Sequence, residues 1–311
     1  MRPTFPHETA TTPREPTLGF AYALSAFLLW GLFPFYLKAV SHIPVWEVVS
    51  HRIVWSVPVA LVLVLVMRRT ADLRAALRDP KTLALAALTA TLISVNWGVY
   101  VYAVGSGQAV QGALGYYINP LINVLLGAVL LGERLERLQM LAVGLAIVAV
   151  AILTVMAGGL PWISLVLAGS FGFYGFFRKT LPVGPVQGFT LEVLILSLVA
   201  LPFLLWLAVN GTGTFGKSGS VDMWLLLVGG PVTAIPLVLY ASGAKLLRYT
   251  TIGVMQYLSP TMIFLIAVFA FDEPFSKWQL IAFCFIWAAL AVYSYSLFGK
   301  ARRKPRLSQE T

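Results

Sequence analysis

The chain has 311 residues, of which 59% are hydrophobic and 11% are charged, whereas an ordinary soluble domain is about 45–50% apolar and about 25% charged. This balance, with a mean hydropathy of +0.84, excludes a soluble globular protein, and the single cysteine, Cys284, excludes a disulfide framework. The formal net charge of +10 does not indicate a nucleic-acid partner, because the basic residues form short clusters between apolar runs and not a groove interleaved with aromatics.

Ten apolar runs are long enough to cross about 30 Å of hydrocarbon as helices. They lack the alternation of barrel strands, and lipid-exposed backbone must satisfy its own hydrogen bonds. The sequence therefore predicts an all-α polytopic membrane protein with ten transmembrane helices, a flexible tail at 1–17 and a basic tail at 299–311. The runs are 18–37, 45–66, 82–104, 109–131, 138–156, 160–177, 187–209, 222–244, 251–271 and 278–298.

The positive residues are distributed unevenly between the two sides of these runs. Eighteen of the 22 Lys and Arg residues lie on the side of the N-terminus, Arg52 lies inside a run, and the opposite side has only Lys38, Lys217 and Lys277. Because positive residues concentrate on the cytoplasmic side of a membrane, both termini are predicted to be cytoplasmic.

The sequence repeats itself at a separation of 140 residues. The two halves, 18–156 and 160–298, hold five runs each, and since five is odd, the second half enters the membrane from the opposite side. Inverted repeats of this kind are typical of alternating-access transporters, whose substrate site lies near the midplane between the halves. The matches at this offset that are not aliphatic are Tyr117 with Tyr257, Pro120 with Pro260, Glu133 with Glu273 and Gln139 with Gln279.

Several segments carry a resemblance to a known family. They are LLWGLFPFYLKAV (28–40), EVVSHRIVWS (47–56), NWGVYVYA (96–103), GALGYYINPLINVLLGAVLLGERLERLQ (112–139) and QYLSPTMIFLIAVFAFDEP (256–274). From 18 to 298 the chain resembles the RarD group of the EamA family, in the drug/metabolite transporter superfamily. The resemblance implies a bacterial inner-membrane permease with two EamA repeats, connected with chloramphenicol sensitivity, in which the first four helices of each half surround a central cavity. It implies no particular substrate.

Polar residues inside the spans are the candidates for substrate binding, because such residues are costly in lipid. Arg52 is expected to meet an anionic substrate group or an internal carboxylate, although snorkelling to the interface is an alternative. The polar stripe of the fourth span is expected to line the cavity, although small and polar residues also join membrane helices. The candidate set is Arg52, Asn96, Tyr100, Tyr116, Tyr117, Asn119, Asn123, Tyr240, Gln256 and Tyr257.

Three ionisable residues are candidates for proton coupling: Glu47 and His51, four residues apart on one helical face, and Glu192 in the seventh span. The alternatives are a structural Glu47–His51 pair and a Glu192 carboxylate held by Arg178 or Lys179. Glu133 and Glu273 are expected to form hydrogen bonds locally, within the turns of their own repeats. Prolines inside the spans are candidate hinges, namely Pro34, Pro120, Pro231, Pro236 and Pro260.

Together these patterns predict a secondary active transporter of small organic metabolites or drugs that works by alternating access, with proton coupling left open. No nucleotide, metal-hydrolase or nucleophile motif occurs, so neither an enzyme nor a cofactor or metal is expected. The expected partners are a small-molecule substrate and membrane lipid, and the chain is expected to be a monomer or a homodimer. A scramblase-like lipid-handling protein and a channel are the alternatives.

Overall fold

The computed structural model of the chain describes residues 14–105, 109–156, 158–159, 162–217, 219–271 and 276–301. These residues form twelve helices and no strand. The first repeat contains α1 (Arg14–Ala39), α2 (Val45–Val66), α3 (Thr70–Arg78), α4 (Pro80–Gly105), α5 (Ala109–Leu130) and α6 (Arg137–Met156). The second contains α7 (Trp162–Thr180), α8 (Pro185–Val209), α9 (Ser220–Leu246), α10 (Tyr249–Met255), α11 (Leu258–Ala270) and α12 (Lys277–Ala301).

The helices are those of a multi-pass membrane protein. Within the described residues, eight stretches are long and apolar enough to cross a membrane, and α5 adds a shorter apolar stretch, Leu114–Leu130. Of the ten predicted spans, α7 is the one whose mean hydropathy is too low for it to appear among these stretches. Its glycines and its Arg178 and Lys179 lower the mean hydropathy, and α7 packs against α4, α5 and α9, which bury one side of it.

The main contacts between the two repeats have counterparts when the repeats are exchanged. The first helix of one repeat packs on the third span of the other, as α1 on α9 and α7 on α4. In the same way α5 packs on α7 and α11 packs on α1, while α6 contacts α12 and α2 contacts α8. This pairing is that of two similar halves related by an approximate two-fold axis. The α6–α12 pair has a hydrophobic cluster of its own, beside the central one.

The ninth predicted span is two helices and not one. Pro260 has no N–H, so the carbonyl of Gln256, four residues earlier, cannot receive its helical hydrogen bond. The chain makes a turn at Gln256 and Tyr257, between α10 and α11. Pro34, Pro120, Pro231 and Pro236 lie inside continuous helices, and a hinge role for all five prolines remains a prediction.

The short helix α3 was not among the predicted elements. It has nine residues, too few to span a membrane, and buries Leu73 and Ala76 on one face. The next helix, α4, is capped by Asp79, whose carboxylate accepts hydrogen bonds from the Thr82 hydroxyl at 2.5 Å and the Thr82 and Lys81 N–H groups at 3.1 and 3.3 Å. The hydrogen bond from the Thr82 side chain is the main reason that the pKa of Asp79 is lowered.

The bundle has two ends, which we name after nearby residues. At the Arg14 end, α1 begins, α7 and α9 end, and the backbone of Gly19 lies against Leu246. At the Lys38 end, α1 ends and α2 begins, and Glu47 of α2 is hydrogen-bonded to the connection between α8 and α9. The expected tail at 1–17 overlaps the start of α1, and its first 13 residues lie outside the described part of the chain.

Candidate functional site: a cavity between the repeats

A cavity of about 660 Å³ lies between helices of both repeats. The first repeat lines it with α1, α2, α4 and α5, and the second with α7, α9 and α11. The exposed residues Lys38 and Val45 line it at the Lys38 end, whereas Ile93, Phe171 and Leu237 are buried lining residues deeper in the bundle. The cavity therefore opens toward the Lys38 end and has a floor toward the Arg14 end.

Arg52 projects from α2 into this cavity and is held by the opposite repeat. Its Nε donates a hydrogen bond of 2.8 Å to Oγ1 of Thr233 in α9, and that hydroxyl donates to the carbonyl of Gly229 at 2.8 Å. The guanidinium carbon lies 4.8 Å from the ring centroid of Phe33 and 5.2 Å from that of Trp97, which are distances of cation–π contact. The side chain is thus fixed in orientation from three sides.

The absence of a side chain at Gly229 makes room for this arrangement. A Cβ at that position would lie 2.9 Å from Cγ of Arg52 and 2.6 Å from the hydroxyl oxygen of Tyr36. The neighbouring Gly230 brings the α9 backbone equally close to α2, against Trp55. The glycine pair therefore brings α2 and α9 together at the level of Arg52.

The charge of Arg52 has no carboxylate partner among the described residues. No Asp or Glu of the described residues lies within 4.0 Å of it, and all five ion pairs found there involve other groups. None of the described residues that line the cavity is acidic. The second cation of the lining, Lys38, has its Nζ 3.8 Å from the ring centroid of Phe271. Of the two partners expected for Arg52, the internal carboxylate is thus missing from the part of the chain that the structure covers.

The neutral polar groups of the cavity differ in how well they are satisfied. The amide of Asn96 donates to the Leu167 carbonyl at 2.9 Å and to the Ser170 hydroxyl at 3.0 Å. The amide of Asn119 is 1% exposed, and its Oδ1 has no hydrogen-bond partner among the described residues. Buried polar atoms are normally hydrogen-bonded, so Asn119 has hydrogen-bonding capacity that the described residues leave unused.

Six of the ten residues predicted to bind substrate line the cavity, and so do two of the predicted hinges. The six are Arg52, Asn96, Tyr100, Tyr116, Asn119 and Gln256, and the hinges are Pro34 and Pro260.

The other four predicted residues lie elsewhere. Tyr117 and Tyr257 belong to the cluster around α6 and α12, where Tyr117 meets the ring of Phe283 at 5.5 Å. The Asn123 amide donates to Gln256 Oε1 at 2.6 Å and accepts from the Tyr249 hydroxyl at 3.0 Å. Tyr240 is buried in the central core. The match of Tyr117 with Tyr257 in the repeat thus corresponds to shared packing and not to a position in the cavity.

The sequence interpretation missed Phe33, Lys38 and Thr233, which all line the cavity. For α1 a signal was present: Trp30, Phe33, Pro34, Leu37 and Lys38 line the cavity at intervals of three and four, the spacing of one helical face. Lys38 directly follows the predicted run 18–37, so the sequence indicates a loop position for it. Thr233 has no comparable signal, since a lone threonine in an apolar helix commonly bonds its own backbone.

The coupling candidates Glu47 and His51 lie side by side outside the cavity lining, each with its own hydrogen bonds. The Glu47 carboxylate accepts from the Thr214 N–H at 2.6 Å and hydroxyl at 3.1 Å, and from the Phe215 N–H at 3.3 Å. His51 Nε2 lies 3.8 Å from Glu47, its Nδ1 accepts from Trp55 at 3.1 Å, and its ring stacks on Phe215. These contacts attach the α8–α9 connection to α2.

The third coupling candidate, Glu192, forms a buried ion pair. Arg178 Nε lies 3.6 Å from its Oε1, and the two residues are 1% and 2% exposed. The Tyr174 hydroxyl donates to Glu192 at 3.3 Å, and Arg178 donates to the Pro185 carbonyl at 2.8 Å. Of the two partners considered for Glu192, Arg178 is the one found. Arg178 had been counted with the loop cations, yet it lies inside the bundle.

An aromatic layer separates the cavity from this ion pair. Trp30 of α1 lies 5.9 Å from Phe171 and 5.5 Å from Tyr240, measured between ring centroids. Phe27 of α1 lies 6.1 Å from Tyr240, and Tyr174 lies 5.7 Å from Phe171. Since α1 belongs to one repeat and the other three rings to the second, these contacts close the space between the repeats.

At the Arg14 end, two lysines join α7 to α9 within the second repeat. Lys179 of α7 donates to the carbonyls of Ala244 and Leu247 at 2.7 and 2.5 Å, and Lys245 of α9 donates to the carbonyl of Leu181 at 2.7 Å. Each lysine therefore satisfies carbonyls at the C-terminal end of the other helix, where the helix dipole is negative.

The local role expected for Glu133 is wrong. Its carboxylate accepts hydrogen bonds from the N–H groups of Tyr249 and Thr250 at 2.6 and 2.9 Å, and these residues begin α10 in the other repeat. Glu133 thus supplies a helix N-terminus with the acceptor it lacks, across the two repeats. Glu273, its counterpart in the sequence, lies outside the described residues.

Comparisons with known proteins agree with this architecture. Residues 17–155 and 159–295 each match the EamA-like transporter family, so the two halves are two copies of one domain. A solved structure with 20% sequence identity superposes with a TM-score of 0.69, over 94% of this chain and 100% of that chain. At this level of identity, the likeness concerns the fold.

Relatives of known sequence match over most of their length. An uncharacterized transporter of Pseudomonas aeruginosa is 42% identical over 93% of this chain and 97% of its own. The protein RarD of Streptomyces exfoliatus is 40% identical over 93% and 92% of the two chains. A chloramphenicol-sensitive protein RarD of P. aeruginosa is 32% identical over 93% and 97%. The chain belongs to the EamA-like transporter family.

Proposed function

We propose that this protein is a secondary active transporter that moves small organic solutes by alternating access. The observation that carries the proposal is the cavity: it lies between the two repeats, is lined by both, opens at one end and is closed at the other. A site between repeats, reached from one side at a time, is what alternating access requires. The transporter names of the relatives support the same class.

The proposed cycle opens the Arg14 end while the Lys38 end closes. Opening requires the α1 rings Phe27 and Trp30 to separate from Phe171 and Tyr240 of the second repeat. The Arg178–Glu192 pair joins α7 to α8 within the second repeat, so it moves with that repeat as one body. The aromatic layer is therefore the gate in this proposal, and the ion pair stiffens the repeat behind it.

For the membrane arrangement we propose ten spans in two inverted repeats, in a bacterial inner membrane, with both termini in the cytoplasm. The eighteen positive residues on the side of the N-terminus, against three on the other, support this orientation. The cavity of the present structure then faces outward, and the aromatic layer closes the cytoplasmic side.

Proton coupling remains open, and the contacts favour structural roles for two of its three candidates. Glu47 and His51 tie a loop to α2, whereas Glu192 is paired with Arg178 and would have to lose that partner before it could exchange a proton. A pH gradient is therefore an essential arm of the transport test.

The test is uptake into proteoliposomes. Amino acids, nucleobases, amphenicol drugs and aromatic carboxylates are offered as labelled solutes, with and without a pH gradient, and unlabelled solute is placed inside. We expect saturable uptake of at least one class, accelerated by the internal solute, because an alternating site carries solute in both directions. Unsaturable flux that internal solute does not accelerate would indicate a channel. Movement of labelled lipid without solute uptake would indicate the scramblase-like alternative.

A further inference from the structure

Resting on the proposed transport function, we propose that the cavity selects amphipathic organic anions, whose acidic group binds Arg52 and whose aromatic body lies among the surrounding rings. Three features of the cavity carry this assignment: a guanidinium with no carboxylate partner among the described residues, the second cation at the opening and the aromatic walls. The resulting class is an aromatic carboxylate.

The first step concerns the hydrogen bonds of Arg52. Thr233 occupies Nε, and no partner among the described residues is found for the two terminal nitrogens. A guanidinium with its outer edge free presents the parallel donors that bind a carboxylate bidentately. A partly buried cation gains from a counter-ion, and an anionic ligand supplies one where the described residues provide none.

The second step concerns the sign of the whole cavity. Arg52 and Lys38 both line it, whereas no acidic residue does so in the covered ranges. A cleft lined by one sign of charge concentrates ligands of the opposite sign. An ammonium group, by contrast, meets no carboxylate among the described lining residues, so amines and zwitterions are expected to bind less well than the corresponding acids.

The third step concerns the body of the ligand. Aromatic rings occupy the space around the guanidinium: Phe33 and Trp97 contact it directly, and Trp30 and Phe171 form the adjoining floor. Flat apolar groups fit such walls because ring-to-ring contacts add to the hydrophobic gain.

The experiment uses four ligands that share one phenyl body and differ in charge: 3-phenylpropanoate (anion), 3-phenylpropanamide (neutral), 3-phenylpropylamine (cation) and phenylalanine (zwitterion). Binding to the purified full-length protein is measured by calorimetry, and uptake of the same ligands is measured in proteoliposomes. We expect the anion to bind at least about tenfold more tightly than the amide, which corresponds to about 1.4 kcal/mol. The amine and phenylalanine are expected to bind more weakly than the anion.

The variants assign the preference to one residue. Arg52→Gln is expected to abolish the preference for the anion, whereas the matched control Arg69→Gln, an exposed arginine paired with Asp72, keeps it. If Arg52→Gln does not fold, Thr233→Val, which removes only the hydroxyl that orients Arg52, is expected to reduce the preference. The ligand series on the unaltered protein decides the question of charge in either case.

The outcomes distinguish a failure of this inference from a failure of the proposed function. Equal or tighter binding of the amide or the amine, absence of anion binding at millimolar concentration, or an undiminished preference in Arg52→Gln overturns the assignment. Saturable uptake of neutral or cationic ligands in the same experiment would leave the transport proposal standing. Selective anion binding without uptake of any ligand supports the assignment and overturns transport.

Discussion

At the scale of single residues, two arginines inside the bundle differ in their partners. Arg178 is paired with Glu192 inside one repeat, whereas Arg52 has no carboxylate within 4.0 Å among the described residues and lines the cavity. A paired buried arginine holds structure together, because its charge is already compensated. An unpaired one beside a cavity is available to a ligand, and this difference separates the two roles more clearly than burial does.

The Arg178–Glu192 pair gives a stability prediction. Glu192→Gln leaves Arg178 buried without a counter-charge, and breaking a buried pair in this way typically costs about 3–5 kcal/mol. The matched control is Arg69→Gln, whose pair with Asp72 is 57% and 51% exposed and is expected to be worth about 0–1 kcal/mol. Thermal unfolding in detergent measures both.

The double variant Arg178→Met/Glu192→Leu is expected to recover much of the loss, since it removes both charges from the interior. If Glu192→Gln is no less stable than Arg69→Gln, the pair is not what stiffens the second repeat, and the role proposed for it above is wrong.

Residue positions could be predicted from the sequence where helical spacing fixes them. Asn96 and Tyr100, four apart, both line the cavity, and Glu47 and His51, also four apart, contact each other. For Glu192 the sequence left Arg178 and Lys179 as alternative partners, and only the structure shows that Arg178, which follows the run 160–177, lies inside the bundle and forms the pair. Such pairings depend on tertiary contacts that no local pattern records.

At the scale of helices, the contact of α2 with α9 sets the geometry of the site. Arg52 is on α2 and Thr233 is on α9. Gly229 and Gly230 of α9, which have no side chain, allow the two helices to approach closely near this pair. The Ser56 hydroxyl also donates to the Gly230 carbonyl at 3.2 Å. The Arg52–Thr233 hydrogen bond therefore depends on how closely the helices approach.

Gly230→Ala tests this dependence. The new Cβ would lie 2.3 Å from the carbonyl oxygen of Trp55, a backbone atom that no side-chain rotation can move away. We expect a loss of about 1–3 kcal/mol from overpacking and weaker anion binding, because Arg52 and Thr233 move apart. Gly144→Ala in α6 is the control: its Cβ meets nothing within 4 Å, and alanine favours a helix interior by about 1 kcal/mol.

Unfolding temperatures and the affinity for 3-phenylpropanoate are compared for the two variants. Equal stability of Gly230→Ala and Gly144→Ala would mean that α2 and α9 separate without cost, and that their close approach does not hold the site.

The helices were the part of the structure that the sequence predicted best. In the described residues each of the ten apolar runs falls on helix, and the ninth run falls on two helices, since lipid-compatible composition and helix length are local properties. The division at Gln256 follows from Pro260, and a proline kink was predicted there. The amphipathic helix α3 was missed because a search for spans passes over nine charged and apolar residues. The α5–α7 and α1–α9 contacts join residues that are far apart in the sequence. Only the repeat indicated that the two halves pack against each other.

At the scale of the whole molecule, the two repeats meet differently at the two ends. At the Lys38 end the cavity lies between them, whereas at the Arg14 end Gly19 of α1 contacts Leu246 of α9 and the aromatic layer joins the repeats. The sequence repeat predicts two equivalent halves, and equivalent halves alone would make both ends alike. Which end is open is a property of the conformation, so no sequence pattern carries it.

A disulfide across the closed end tests whether that end must open. In a Cys284→Ser background, Gly19→Cys and Leu246→Cys place Cβ atoms about 2.7 Å apart, so a small backbone shift reaches the roughly 3.8 Å typical of a disulfide. We expect oxidation to stop uptake while ligand still binds from the Lys38 end, and reduction to restore uptake. The control pair, Ala103→Cys with Gly112→Cys, has its Cβ atoms 3.5 Å apart within the first repeat and should permit uptake, since the halves still move against each other. Full uptake with the Gly19–Leu246 pair oxidised would show that solute does not leave through the Arg14 end, and the alternating-access cycle proposed for these repeats would then be wrong.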